Sequence, residues 1–261
     1  MIKLENCEVV GWEHAIRGMR NPKNSWEKSD SDYGPIICSK CDDCESYKFE
    51  DWDACDDCEV EKIINNAPPG FMIGPNDHEL MMKLANAGPV HGKFRRMITV
   101  YVDITAPLYW WKEFDTYKVG TVANSCSTMH KIHAKEFTVE DFSCEHLMSF
   151  DEVYDTDDEI PYCEDCGSSD SPVGVLDYTI QVLNKYRIKF LETKDKKYWW
   201  QMIQLLPSSY NQKRTVELNY EVLANIYQYR KNHKLDEWRE FCKWIEQLPY
   251  SEIITGERDG E

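Results

Sequence analysis

The chain of 261 residues contains no stretch approaching the roughly 20 consecutive apolar residues that a membrane helix requires. Its amino terminus, MIKLENCEVVGWEHAI, lacks a basic region followed by an apolar run, so no secretory signal is expected and the implied compartment is cytoplasmic. There is no Ser-His-Asp order, HExxH, GxGxxG or Walker sequence, which removes the commonest hydrolase, metalloprotease and nucleotide-loop readings. Positive charge is scarce: 30 Lys and Arg face 47 Asp and Glu, for a net charge of −17. Between Glu136 and Asn184 there is no Lys or Arg at all. Such a balance argues against direct nucleic-acid binding. Disorder is excluded by an apolar content of 42% that includes nine Trp and fifteen Tyr, enough for a real core.

Periodicity then gives the order of elements. IKLENCEVVG reads as a strand, WEHAIRGM as a short helix, and NPKNSWEKSDSDYGP as a surface loop. Asn76 or Asp77 is placed to cap a helix through HELMMKLANAG, with Leu80, Met81 and Leu84 on one face and Gly88 ending it. In KFRRMITVYVDI, Met97, Thr99, Tyr101 and Asp103 alternate with Ile98, Val100, Val102 and Ile104, a strand signature. Pro107 opens an aromatic helix carrying Tyr109, Trp110 and Phe114, which runs into small polar residues from Thr121 to Thr128. A long helix follows in SPVGVLDYTIQVLNKYRIKFLETK, with Val175, Tyr178, Val182 and Tyr186 on one apolar stripe. A helix stopped at Pro207, a short strand KRTVELN, a helix capped by Asn219, and a last helix burying Leu235, Trp238, Cys242 and Ile245 complete the chain. The tail GERDGE reads as frayed. The pattern predicts one α+β domain over residues 1–261: a small mixed or antiparallel sheet covered by long helices. Two features stand out from it, a Cys-rich insertion at 36–62 and an acidic loop at 140–171.

The insertion holds Cys38, Cys41, Cys44, Cys55 and Cys58, and the acidic loop holds Cys163 and Cys166. Two CxxC pairs can offer four thiolates tetrahedrally, so Cys38–Cys41 with Cys55–Cys58 has zinc-ribbon spacing. Cys41–Cys44 is an equally good pair, and Cys163–Cys166 is followed by Gly as in a zinc knuckle. A site closed by four thiolates would be structural zinc, with disulfides, free thiols or an iron–sulfur cluster as the other chemistries. Cys7 and Cys242 read as small core residues. His130 and His133 could share a helical face, as a solvated pair or a weak metal site.

The run from Ile104 to Lys131 and the segment from Leu205 to Arg230 resemble the flavin-dependent thymidylate synthases, and the similarity extends over about 76–131 and 195–248. In that family the first run carries the signature Arg-His-Arg-x-x-Ser-x-Asn-Glu-x-Ser-x-Arg-Tyr. Here the matching positions are Thr116, Tyr117, Lys118, Thr121, Ala123, Asn124, Cys126, Thr128 and Met129. A phosphate-holding Arg of the family corresponds to Ile203, and His233 stands one place from a family His. Asn219 matches a flavin-contacting Asn and Arg230 a nucleotide-contacting Arg.

The resemblance implies a flavin, FAD, and a pyrimidine nucleotide as ligands, and a homotetramer whose small-residue stretch lines a pocket between subunits. Cofactor-binding candidates are then Lys118, Asn124, Ser125, Asn219 and Arg230, with Cys126 as the candidate reactive side chain. Lys gives a point charge where the family uses Arg forks, so the loss of several such forks implies that thymidylate chemistry is lost or altered. The plain readings remain alongside: Cys126 as a small residue buried on a helix, Asn219 as a helix cap, and Arg230 as a cation welcomed by a helix C-terminus. The other functional class is a non-catalytic interaction or assembly protein on the same scaffold, docking through a zinc-stiffened acidic insertion.

Overall fold

In the computed structural model, which describes residues 2–34, 70–149 and 171–256, the chain divides into two units. One contains Met1–Val9 with Thr99–Thr255, the other Val10–Ile98 with Gly256–Glu261. The strands are β1 (Lys3–Val10), β2 (Asp32–Gly34), β3 (Gly70–Met72), β4 (Thr99–Pro107), β5 (Thr121–Ser125) and β6 (Asn211–Asn219). The helices are α1 (Trp12–Arg20), α2 (Pro75–Asn86), α3 (Leu108–Phe114), α4 (Pro172–Thr193), α5 (Lys196–Leu205), α6 (Tyr220–Arg230), α7 (Asp236–Glu246) and α8 (Glu252–Thr255). No helix among the described residues is long and apolar enough to cross a membrane.

The first unit is built on a four-stranded sheet in the order β1-β4-β6-β5, with β4 and β5 both antiparallel to β6. Alternation along β4 buries Val100, Val102, Ile104 and Ala106, and the register sets Val100 opposite Leu218 and Val102 opposite Val216. Each fully buried aliphatic side chain stabilises by about 1.5–3 kcal/mol, so this inner row fixes the register. The other row is polar. Thr215 Oγ1 donates to Asp103 Oδ1 at 2.6 Å, Asn6 Nδ2 donates to Asp103 Oδ2 at 3.0 Å, and Lys213 lies 3.0 Å from the same oxygen. One carboxylate thus ties β1, β4 and β6 together. One apolar and one polar face is the usual condition of an antiparallel sheet covered on one side.

A second core of this unit gathers Ile132, Phe137, Phe142, Leu176, Leu183 and Met202. It corrects the stripe expected on the long helix. α4 buries Leu176 and Leu183, whereas Val175 and Tyr178 are 57% and 50% exposed. The helix carries two adjacent apolar stripes, and the core takes the one rotated by a single residue. Asn219 caps α6 as the sequence indicated, its Oδ1 accepting the Val222 N–H at 3.1 Å. Cys242 is buried in α7, which pushes its thiol up to about 12, while Cys7 is exposed on β1 and not a core residue.

In the second unit, α1 buries Trp12, Ala15, Ile16 and Met19. Gly11, just ahead of it, has φ 97, and a Cβ there would collide with the Met97 carbonyl, so only glycine suits. The strand expected to begin near Lys93 is preceded by a 3-10 segment at Gly92–Met97. The loop read at 21–35 contains two 3-10 turns and β2, which pairs antiparallel with β3. Asp77 does not cap α2. It is fully buried within the first turn, and the helix starts at Pro75 with Gly74 as its cap residue. The tail beyond Gly256 lies outside the described residues.

Candidate functional site

The aromatic helix α3 leads into the run where the resemblance places the family's signature, and its inward face is a stack of rings. Pro107 is the cap residue, and Trp110, Trp111 and Phe114 are buried. Trp110 lies 4.9 Å from Trp111, 5.0 Å from Phe114 and 4.7 Å from Trp238 of α7, centroid to centroid. Tyr109, read from spacing as part of that face, instead sends its hydroxyl to the buried carboxylate of Glu237. Burial and that carboxylate push the Tyr109 phenol up. Trp111 takes the inward position, and its Nε1 donates to the Gln212 carbonyl at 2.9 Å.

Arg230, at the end of α6, reaches this cluster. Its Nη1 donates to Glu113 Oε2 at 2.7 Å and its Nε to the Tyr117 hydroxyl at 2.9 Å. The guanidinium lies over Trp238 at 4.7 Å, and Trp238 Nε1 donates to the same Glu113 oxygen at 3.0 Å. His233 Nε2 is 3.5 Å from that oxygen. Arg214 is held alike: it lies over Trp111 at 4.1 Å and donates to Asp115 at 2.7 Å and to Gln212 Oε1 at 3.0 Å. Both arginines of this region are therefore neutralised inside the fold. Glu113 and Arg214 carried no signal in the sequence, and Trp238 was legible only as a core residue, because Glu113 and Arg230 lie 117 residues apart.

The small-residue stretch is a strand. Thr121–Ser125 forms β5, the edge of the sheet, paired from Thr121 opposite Leu218 to Ser125 opposite Arg214. Asn124, Ser125 and Cys126 are exposed, as is Lys118. Cys126 is accordingly not a buried helical residue: it follows the edge strand, its N–H donating to the Lys213 carbonyl and its own carbonyl accepting from Gln212 Nε2. Gly120, at φ 80, brings the chain so close to Asn219 that a Cβ would lie 2.8 Å from its Nδ2. The candidates thus fall at two ends of β5, with Lys118, Asn219 and Arg230 linked through Tyr117 and Gly120 at one, and Asn124, Ser125 and Cys126 at the other. Four residue steps of strand separate the ends by about 13 Å.

A phosphate-bearing ligand needs donors that are not already in use. Asn219 Nδ2 donates to the Gly120 carbonyl at 3.5 Å, Arg230 spends its Nε on Tyr117 and its Nη1 on Glu113, and no arginine fork stands at Thr116 or Lys118. These residues do not fit the family's way of holding a nucleotide phosphate. His130 and His133 lie in turns and not on a helix; His130 is exposed, and His133 packs edge-on against Phe190 at 4.8 Å. Among the described residues, no group of three or more His, Cys, Asp or Glu is arranged to hold a metal. Cys38, Cys41, Cys44, Cys55, Cys58, Cys163 and Cys166 lie outside the described residues.

The sequence matches no protein-family model and no curated protein. The fold, in contrast, is similar to solved structures. Thymidylate synthase X from Helicobacter pylori, solved with FAD and dUMP, aligns over 97% of this chain and 96% of its own, with TM-score 0.57 and 14% identity. A UMP/dUMP methylase, PolB from Streptomyces cacaoi, bound with 5-Br UMP, aligns over 98% of this chain and 95% of its own, with TM-score 0.54 and 12% identity. The architecture expected from the resemblance, helices on a small antiparallel sheet, is the fold of flavin-dependent thymidylate synthases.

Proposed function

We propose that this protein is a flavin- and pyrimidine-nucleotide-binding member of the flavin-dependent thymidylate synthase family in which the thymidylate reaction is lost or altered. The fold carries the reading, since the described architecture follows that of enzymes solved with FAD and dUMP across nearly the whole chain. The alteration is supported by the ion pair between Arg230 and Glu113, which occupies the one arginine of the family's set still present. Lys118, Asn124 and Ser125 would hold the flavin from the exposed edge strand, with Cys126 as the reactive side chain. The compartment is cytoplasmic. Assembly into a homotetramer would cover the exposed stripe of α4 and both faces of β5.

The visible absorption spectrum of the freshly purified protein tests the reading. A flavin envelope, or uptake of added FAD, is the expected result; a colourless protein that takes up none overturns it. A second reading is favoured by the same ion pair: a non-catalytic interaction protein, stiffened by structural zinc in the 36–62 insertion. Metal analysis together with the missing flavin would select it.

A further inference from the structure

Three cationic side chains, Lys131, Arg187 and Lys194, lie around His133, and none has a carboxylate partner among the described residues. Residues 128–135 form turns packed against the α4–α5 hairpin. Arg187 Nε donates to the His133 carbonyl at 3.1 Å, and Trp199 Nε1 donates to the Met129 carbonyl at 2.9 Å, so both helices grip the turn. Phe190 stacks edge-on against the imidazole, and Lys194, the left-handed cap residue of α4, holds its ammonium 5.9 Å from the Phe190 ring. Lys131 stands two residues before His133 on the turn itself. His133 Nδ1 is buried without a hydrogen-bond partner.

No carboxylate among the described residues lies within 4.0 Å of Lys131, Arg187 or Lys194. Elsewhere among the described residues Arg20, Lys135, Lys197, Lys213, Arg214, Arg230 and Arg239 have acidic partners. Like charges gathered in this way repel, and they are tolerated best where an anion offsets them. Arg187 spends only its Nε on the backbone, leaving both Nη groups to form one side of a fork.

We infer that this turn is an anion site for a phosphate group, held by Lys131, Arg187 and Lys194 beside the His133 ring. A phosphate dianion matches three cations better than a carboxylate, and one guanidinium with two ammonium groups is a usual phosphate-binding set. The inference stands on these charges alone and does not depend on flavin binding. Burial lowers the His133 pKa, and Lys194, Lys131 and Arg187, the charged groups acting on the ring from the helix and the turn, lower it further. A bound dianion cancels that repulsion, so the ring reports occupancy.

The test follows the His133 imidazole proton by NMR in the full chain, across pH, with inorganic phosphate or with chloride at matched ionic strength. The midpoint is expected to rise with phosphate and not with chloride. The double substitution Lys131→Gln and Lys194→Gln, at two exposed positions, is expected to weaken phosphate binding at least about ten-fold without moving the melting temperature. Uridine, uridine monophosphate and inorganic phosphate then separate the sources: tighter binding of the monophosphate assigns a nucleotide, and equal binding assigns free phosphate. A His133 titration indifferent to phosphate, or shifted equally by uridine, overturns the inference. Flavin uptake without phosphate binding would leave the proposed function standing and remove this site alone.

Discussion

Arg20 and Asp77 form an ion pair at 2.6 Å with side chains 4% and 0% exposed. The second carboxylate oxygen accepts from the Ser29 and Ser31 hydroxyls, each at 2.7 Å, and from the N–H groups of Asp30 and Ser31. Asp30 answers by accepting from the N–H groups of Asn76 and Asp77, which caps α2 from a distant part of the chain. Removing one partner of such a pair leaves a buried charge without compensation. Asp77→Ala is therefore expected to lower stability by about 3–5 kcal/mol, read from chemical denaturation. A loss below about 1 kcal/mol would mean that Arg20 regains water at no cost.

Arg230 is expected to matter to the fold even with no ligand present. Its ion pair with Glu113 and its stacking on Trp238 together stabilise by about 1–2 kcal/mol. Arg230→Met should lower the melting temperature of the ligand-free protein, and Glu113→Gln should do so less. An unchanged melting temperature in Arg230→Met would instead make the arginine a binding residue held idle.

Asp103 gives the protein an acid limit. Hydrogen bonds from Thr215, Asn6 and Lys213 outweigh desolvation and hold its carboxyl at about 2, below the ordinary aspartate value of 3.8. A carboxyl depressed in the folded state contributes stability above its unfolded pKa, and that contribution is lost as pH falls from near 4 towards 2. The melting temperature should fall over this window in the parent and less steeply in Asp103→Asn, with the two curves converging at the acid end. Parallel curves would count against the link.

Gly120 and Asn219 are expected to behave as one junction. Gly120→Ala strains a backbone at φ 80 and forces the Asn219 amide away, at a cost of about 1–2 kcal/mol. Asn219→Ala removes only the cap, about 1 kcal/mol. Because the residues touch, the double variant should cost less than the two single changes combined. Strict additivity, measured by a double-mutant cycle, would separate them.

Most elements could be read in the sequence because their signals are local. Val100, Val102 and Ile104 alternate, Asn219 precedes a helical period, and Pro207 ends one. What could not be read depends on partners far along the chain. Asp77 looked like a cap because nothing near it announces Arg20, 57 residues earlier. β5 was hidden because its residues are exposed on both faces and carry no alternation, its identity as a strand coming from pairing with β6. On α4 the sequence offered two apolar stripes, and only packing against Met202 and Phe142 decides between them. The candidate residues were located, but their engagement was not: that Arg230 is spent on Glu113 follows from three dimensions alone.

The pairing of Gly34 with Gly70 has a consequence for the history of this chain. Gly34 ends β2 and Gly70 begins β3, and the two face each other on a single rung of the ladder. A tight turn of two residues could bridge the same rung and convert β2 and β3 into an ordinary hairpin. Because the connection joins the ladder at one rung, a single genetic event could change its length without re-registering β2 against β3.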